Sequence, residues 1–164
     1  MSAKPDAAKI RPATIADLPA IVAMRDRLNV LERRGCPHAA IVPLTLAQFT
    51  AMWGETFTSP AHCWRVVEVA EELVGFGLIY LATPRTTPPG AYIHWAYLEE
   101  TQRRGGLGRK LVDEMLAWAR VQGATRVELQ FIDGNGIAER FWTKVGFRPY
   151  ARKCVQYFGD ASGR

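Results

Sequence analysis

The sequence predicts an α/β fold of about six to seven strands and four helices, and three observations carry that expectation. Helical apolar periods with capping residues alternate with short runs of β-branched and aromatic residues. At 164 residues, the chain is long enough to bury a core of its own without disulfide or metal staples. Hydrophobic residues make up 48% and charged residues 23%, the balance of a globular chain rather than a disordered one.

The elements follow in order. A short apolar strand lies around Ile10. Thr14-Ile15-Ala16-Asp17 then reads as a helix cap, after which Leu18, Ile21, Val22, Arg25 and Leu28 recur with a helical period to an end near Glu32. Gly35, Pro37 and Pro43 break the chain, and Thr45-Leu46-Ala47-Gln48 is a second capping box ahead of Phe49, Met52 and Trp53. From Cys63 to Ala70 and from Leu73 to Ala82 the residues favour strands, and Glu71-Glu72 between them fits a tight hairpin turn. The proline-rich loop Thr83 to Gly90 leads to a strand from Ala91 to Leu98.

A third helix is expected from about Gly106 to Gln122, with Leu107, Leu111, Met115, Trp118 and Ala119 on one face and Gly123 ending it. Arg126 to Phe131 is a strand, and Asn135 opens a fourth helix that closes at Gly146. Phe147 to Phe158 alternates enough to supply one or two edge strands. Residues 9–158 are therefore expected to form a single domain between tails at 1–8 and 159–164.

Composition also narrows function. The net charge of +5 suits anionic partners, but Lys and Arg are scattered, so no nucleic-acid footprint is indicated. MSAKPDAAK lacks the apolar core of a signal peptide, and Leu73 to Ala82 is too short to span a bilayer, so a cytoplasmic protein without membrane attachment is expected. Cys36, Cys63 and Cys154 have no metal-ligand or disulfide spacing, and they read as reduced, partly buried residues.

The chemistry concentrates in Gln102-Arg103-Arg104-Gly105-Gly106-Leu107-Gly108 at the start of the third helix. Backbone N–H groups at a helix N-terminus converge on a phosphate, glycines let the backbone approach it, and Arg103, Arg104, Arg109 and Lys110 add positive charge. A nucleotide loop of the Gly-Lys-Ser/Thr kind fails because Arg109-Lys110-Leu111 follows Gly108, and a dinucleotide GxGxxG fails at Leu111. A flexible connection with solvated arginines is the plain alternative.

Leu98 to Gly108 resembles motif A of the GNAT superfamily of N-acetyltransferases, through Arg103, Gly106 and Gly108. Asn135, Ala138, Lys144, Gly146 and Phe147 are similar to the family's Asn-x-x-Ala…Lys-x-Gly-Phe pattern, and the element order from Ile10 onward is also that of the family. The resemblance implies a GNAT-like twisted mixed sheet whose fourth and fifth strands splay apart around the pantetheine arm of acetyl-CoA. It implies that Ala96, Tyr97 and Leu98 offer backbone partners to that arm, with an N–H near Leu98 at the thioester oxygen. It places the pyrophosphate on the turn from Arg104 to Arg109, including Gly105 and Leu107, and Asn135 near the sulphur end with Ala138 beside it. Asn135 also reads as a helix N-cap, and the two roles are compatible.

Several family members carry a basic glutamate four residues before the position of Leu98, where this chain has His94. An alkyl amine with a pKa near about 10.4 must lose a proton before it attacks, and a histidine near about 6.5 suits that task. His94 also reads as a half-buried strand histidine, and Glu128 is the second candidate base. Seven residues after Asn135, where the family usually has a proton-donating tyrosine, stands Trp142, whose indole donates a hydrogen bond but delivers no proton. Tyr150 and Tyr157 are the other candidates for that step, or ordinary sheet aromatics.

Three functions compete at this level. The first is an N-acetyltransferase acting on a small-molecule or protein amine, with room for a homodimer. The second is a CoA-binding module with little chemistry, and the weakest is an RNA-associated protein. Arg33 to Pro43 and the C-terminal strands are expected to recognise the acceptor.

Overall fold

A computed structural model of the chain describes residues 8–36, 41–82 and 89–156. The elements are β1 (Lys9–Pro12), α1 (Leu18–Gly35), α2 (Leu46–Trp53), β2 (His62–Val69), β3 (Glu72–Leu81), β4 (Gly90–Leu98), α3 (Leu107–Val121), β5 (Arg126–Leu129) and α4 (Gly136–Val145). They belong to two compact units, residues 1–28 with 43–130, and residues 29–42 with 131–164. Each is taken separately.

In the first unit the five strands form one sheet in the order β1-β2-β3-β4-β5. The first three pairings are antiparallel and β4 pairs parallel with β5, so the sheet is mixed. β3 is central, with Val74, Phe76 and Leu78 buried on one face and Ile79 on the other. Its near-continuous apolar run follows from cover on both sides.

Side chains alternate along a strand, which assigns the faces. A Cβ built on Gly77 would meet Met115 and Leu111, so that face lies under α3, whose buried residues are Leu107, Leu111, Val112, Met115 and Ala119. Trp118 lies on the same stripe and is half-buried, and Val112 adds a buried residue beside Met115. The other face carries α2 and an aromatic cluster in which Phe49, fully buried, lies 5.7 Å from Trp95 and 6.4 Å from Trp64. The guanidinium of Arg25 in α1 sits 5.7 Å from the Phe49 ring and 5.9 Å from the Trp95 ring.

The capping signals are met. Thr45 accepts from the Gln48 N–H at 3.2 Å while Gln48 Oε1 accepts from the Thr45 N–H at 2.9 Å. Asp17 Oδ2 accepts the Thr14 N–H at 2.7 Å, closing a 3-10 turn over Ile15–Asp17 that precedes α1. The guanidinium of Arg11 on β1 donates to both Asp17 oxygens and holds that carboxyl below the usual carboxylate range. α1 runs to Gly35, one turn past the expected end at Glu32.

The hairpin turn sits one residue earlier than expected. Ala70 and Glu71 take φ of +49° and +65°, and Glu72 is already in β3. Two left-handed central residues match the right-handed twist of the flanking strands, which outweighs the absence of Gly or Asn.

Gly75 is required for a different reason, close approach. A Cβ there would lie 2.8 Å from the Tyr97 carbonyl oxygen and 2.8 Å from Leu98 Cδ1. Backbone cannot yield as a side-chain tip does, so Gly75→Val is expected to destabilise the protein by about 2–3 kcal/mol, measured by urea unfolding. A loss within about 0.5 kcal/mol would contradict this packing.

In the second unit, Asn135 caps α4 by accepting the Ala138 N–H at 3.1 Å, and Gly146 ends it at φ +116°. The expected edge strands after Phe147 do not form within residues 147–156, so the described strands number five rather than six or seven. Residues 148–156 are exposed throughout, Pro149 lacks an N–H, and Arg152-Lys153 interrupts any apolar face. Residues 157 and 158 of that segment lie outside the described residues, as do most of the two expected tails.

Candidate active site

The site in the first unit begins where the sheet opens. β4 pairs with β5 through Gly90↔Arg126, Ala91↔Val127, Tyr92↔Glu128 and Ile93↔Leu129, and the pairing stops there. On its other edge β4 stays paired with β3 as far as Gly75↔Leu98. From His94 to Leu98, therefore, β4 has no strand partner on the β5 side among the described residues.

The ladder shows which backbone groups face that gap. Glu99 N–H donates to the Val74 carbonyl at 2.8 Å, so antiparallel alternation turns the N–H and C=O of Tyr97 toward β3 and those of Ala96 and Leu98 away from it. The Leu98 carbonyl accepts from Arg103 Nε at 2.9 Å, leaving its N–H as the donor on the open edge. Tyr97 is 5% exposed and its hydroxyl donates to Glu99 Oε2 at 2.9 Å.

His94 stands where the gap starts, on a β-bulge. Leu78 pairs with Trp95 and Ile79 with Ile93, so His94 is the extra residue. A bulge re-aims a side chain, and here it brings His94 to the α2 face. Its ring lies 4.3 Å from Trp95, 4.9 Å from Trp53, 6.1 Å from Tyr80 and 6.4 Å from Tyr92. Burial and the positive charge of Arg25 hold its pKa below the usual histidine value, so the imidazole is neutral, and free to accept a proton, at pH 7. Glu128 on β5 is ion-paired with Arg126 Nε at 2.8 Å, which occupies the carboxylate.

The glycine-rich turn follows the open strand through a 3-10 turn over Glu100–Gln102. Arg104 and Gly106 are left-handed, at φ of +80° and +78°. Gly106 is the N-cap of α3 and supplies no side-chain cap, so the first N–H groups of the helix, those of Leu107, Gly108 and Arg109, have no intrahelical acceptor. A Cβ on Gly105 or Gly106 would meet nothing within 4 Å, so protein packing does not explain these glycines. Gly106 is accounted for by its left-handed backbone, and the space in front of both glycines is open to a ligand.

The arginines divide. Arg103 points back to the Leu98 carbonyl, 5.8 Å from the Tyr97 ring, and fixes the turn to the strand end rather than joining a charged rim. Arg109 Nε pairs with Asp113 at 2.8 Å one turn along α3. Arg104 is exposed beside the turn.

The remaining candidates belong to the second unit. The Oδ1 of Asn135 is the capping atom of α4 and Ala138 supplies the capped N–H. Trp142 is 8% exposed and packs edge-on against Phe141 at 5.0 Å and Phe147 at 5.4 Å, a core residue of α4. Tyr150 is 78% exposed, and Tyr157 lies outside the described residues.

Two features escaped the sequence. The bulge has no residue signature, because it is set by pairing with β3. Arg25 gave a signal that was available, a charge on the apolar stripe of α1.

An open β4 edge that leads to a helix start with no side-chain cap leaves backbone donors facing solvent. A model of the acetyltransferase (GNAT) family matches residues 28–147, and the chain belongs to that family. Its cosubstrate is typically acetyl-CoA. No curated protein matches the chain in sequence.

Solved structures share the fold. The AAC(6')-Iy aminoglycoside N-acetyltransferase in complex with CoA is similar with a TM-score of 0.74 at 12% identity, over 96% of this chain and 99% of that one. A tetramutant of the BH1408 protein from Bacillus halodurans gives 0.73 at 23% identity, over 92% and 99%. The glucosamine-6-phosphate N-acetyltransferase from Arabidopsis thaliana gives 0.70 at 18% identity, over 94% and 100%. The fold class is thus GNAT-like. Among the described residues, no helix is long and apolar enough to cross a membrane.

Proposed function

We propose that this protein is an N-acetyltransferase that moves an acetyl group from acetyl-CoA to a primary amine by direct attack in a ternary complex. The observation that carries the reading is the end of β4–β5 pairing at Ile93, directly before bulged His94 and on the strand that runs into the uncapped start of α3. A split sheet alone could be an accident of strand length, but its junction with an anion site and a neutral imidazole is the set that acetyl transfer needs.

The fit to acetyl-CoA rests on donors. Leu107, Gly108 and Arg109 N–H groups and the exposed Arg104 suit the pyrophosphate, and the outward N–H and C=O of Ala96 suit the pantetheine amides. Acetyl-CoA supplies an acetyl group activated as a thioester. The Leu98 N–H steadies charge that develops on the carbonyl oxygen, at little reorganisation cost because the strand holds it in place. His94 takes a proton from the amine as its nitrogen attacks. The structural neighbours that act on aminoglycosides and on glucosamine-6-phosphate are in keeping with an amine acceptor.

A CoA-binding module with little activity is the second reading, and buried Trp142 favours it, since no proton donor stands at that position. A thiol with a pKa near about 8.5 leaves readily as thiolate, so a dedicated donor is dispensable. Incubation with acetyl-CoA and an amine panel should release thiol, and Trp142→Tyr should change the rate by less than about threefold. No release across the panel, or a rise above about tenfold in the variant, would favour the second reading.

A further inference from the structure

On the α2 face, the strand pairs His62↔Tyr80, Tyr80↔Tyr92 and Tyr92↔Glu128 set four side chains in one row across β2, β3, β4 and β5. Ring centroids are 5.7 Å apart for His62 and Tyr80, and 5.7 Å for Tyr80 and Tyr92. His94 approaches Tyr80 and Tyr92 from the bulge, and Trp53 at the end of α2 closes on His94 at 4.9 Å. Trp53, His62, Tyr80, Tyr92 and His94 are all half-buried. The row is therefore a floor of rings open on one side, with the candidate base at its edge.

Its charge is as informative as its shape. Glu128 is the carboxylate of the row, and Arg126 is bound to it. Arg25 places a buried positive charge behind Trp95 and acts on His94. His62 is held below, and Tyr80 above, the usual pKa by burial, so both stay neutral at pH 7. His62 Nδ1 also lies 2.9 Å from Ser59 Oγ, which fixes its ring. A polycation needs several open carboxylates, and this floor gives it cations and neutral rings instead. A flat π system gains offset or edge-on contacts at these spacings.

We propose that this row is the acceptor platform and that it takes an amine carried on a flat aromatic body. The proposal rests on the acetyl-transfer reading for the role of His94, but its ring selectivity can be read without turnover. Three probes separate the chemistries: phenylethylamine, cyclohexylethylamine, which has the same reach without a π face, and spermine as the polycation.

In thiol-release assays with the full chain, kcat/KM for phenylethylamine should exceed that for the other two by about tenfold. In calorimetry on CoA-saturated protein, phenylethylamine should bind, and Tyr80→Leu or Tyr92→Leu should weaken it at least about fivefold. Equal use of the three amines, or preference for spermine, would overturn the platform while leaving acetyl transfer standing. Ring-selective binding without thiol release from any amine would uphold the platform and remove the acetyl-transfer reading. The wild-type comparison decides the matter even if a leucine variant fails to fold.

Discussion

His94→Gln is expected to lower kcat/KM by about 10²–10³, the usual worth of a positioned base, while leaving CoA affinity unchanged. Glutamine keeps a similar polar volume among Trp53, Trp95, Tyr80 and Tyr92 but cannot take a proton. The pH profile makes the assignment specific. Burial and then the Arg25 charge disfavour the imidazolium, so the wild-type rate should rise with pH through a midpoint below the ordinary value of about 6.5. The variant should lose that limb and keep the rise set by the amine itself near about 10.4. An unchanged acid limb in the variant would remove His94 from the role.

The same shift has a consequence for stability. A histidine whose folded pKa is depressed binds fewer protons folded than unfolded, so stability falls as pH drops below the unfolded value of about 6.5 and levels off below the folded one. His94→Gln should flatten that part of the curve.

Gly106→Asn is the second large effect. The residue must adopt φ of +78°, and Asn tolerates the left-handed region better than other side chains, so the fold should lose no more than about 1 kcal/mol. A Cβ there meets nothing within 4 Å, so the new side chain enters the open space before the first N–H groups of α3. An anion held by those N–H groups would meet it. Affinity for CoA should therefore fall on the order of 100-fold, with the melting temperature little changed. Affinity within about twofold of the wild type would separate the glycine turn from CoA.

The legible parts of the fold were those written in local chemistry. The Thr45 capping box, the Asn135 cap, the Gly146 stop and the apolar face of α3 depend on residues three or four positions apart, and the structure bears each out. The turn of the β2–β3 hairpin was missed by one residue because strand twist forced Ala70 and Glu71 into left-handed backbone without glycine. The strands expected after Phe147 required a neighbour to pair with, which residues 147–156 do not gain.

The site divides along the same line. The turn holding Gly105, Gly106 and Gly108 was readable because clustered glycines before a helical period mark a helix start, and α3 begins at Leu107. The inward turn of Arg103 was not, because a guanidinium on the rim and one bonded to the Leu98 carbonyl look the same in sequence. His94 was singled out as a candidate by its place before Leu98. Its bulge, its ring neighbours and the influence of Arg25 came only from pairing across β3 and packing against α1 and α2.

Amide hydrogen exchange with and without CoA tests the placement of the cosubstrate most directly. The account predicts slowed exchange within residues 94–109, covering the outward amides of Ala96 and Leu98 and the first N–H groups of α3 at Leu107, Gly108 and Arg109. CoA binding that leaves this segment unchanged while protecting another part of the protein would contradict it.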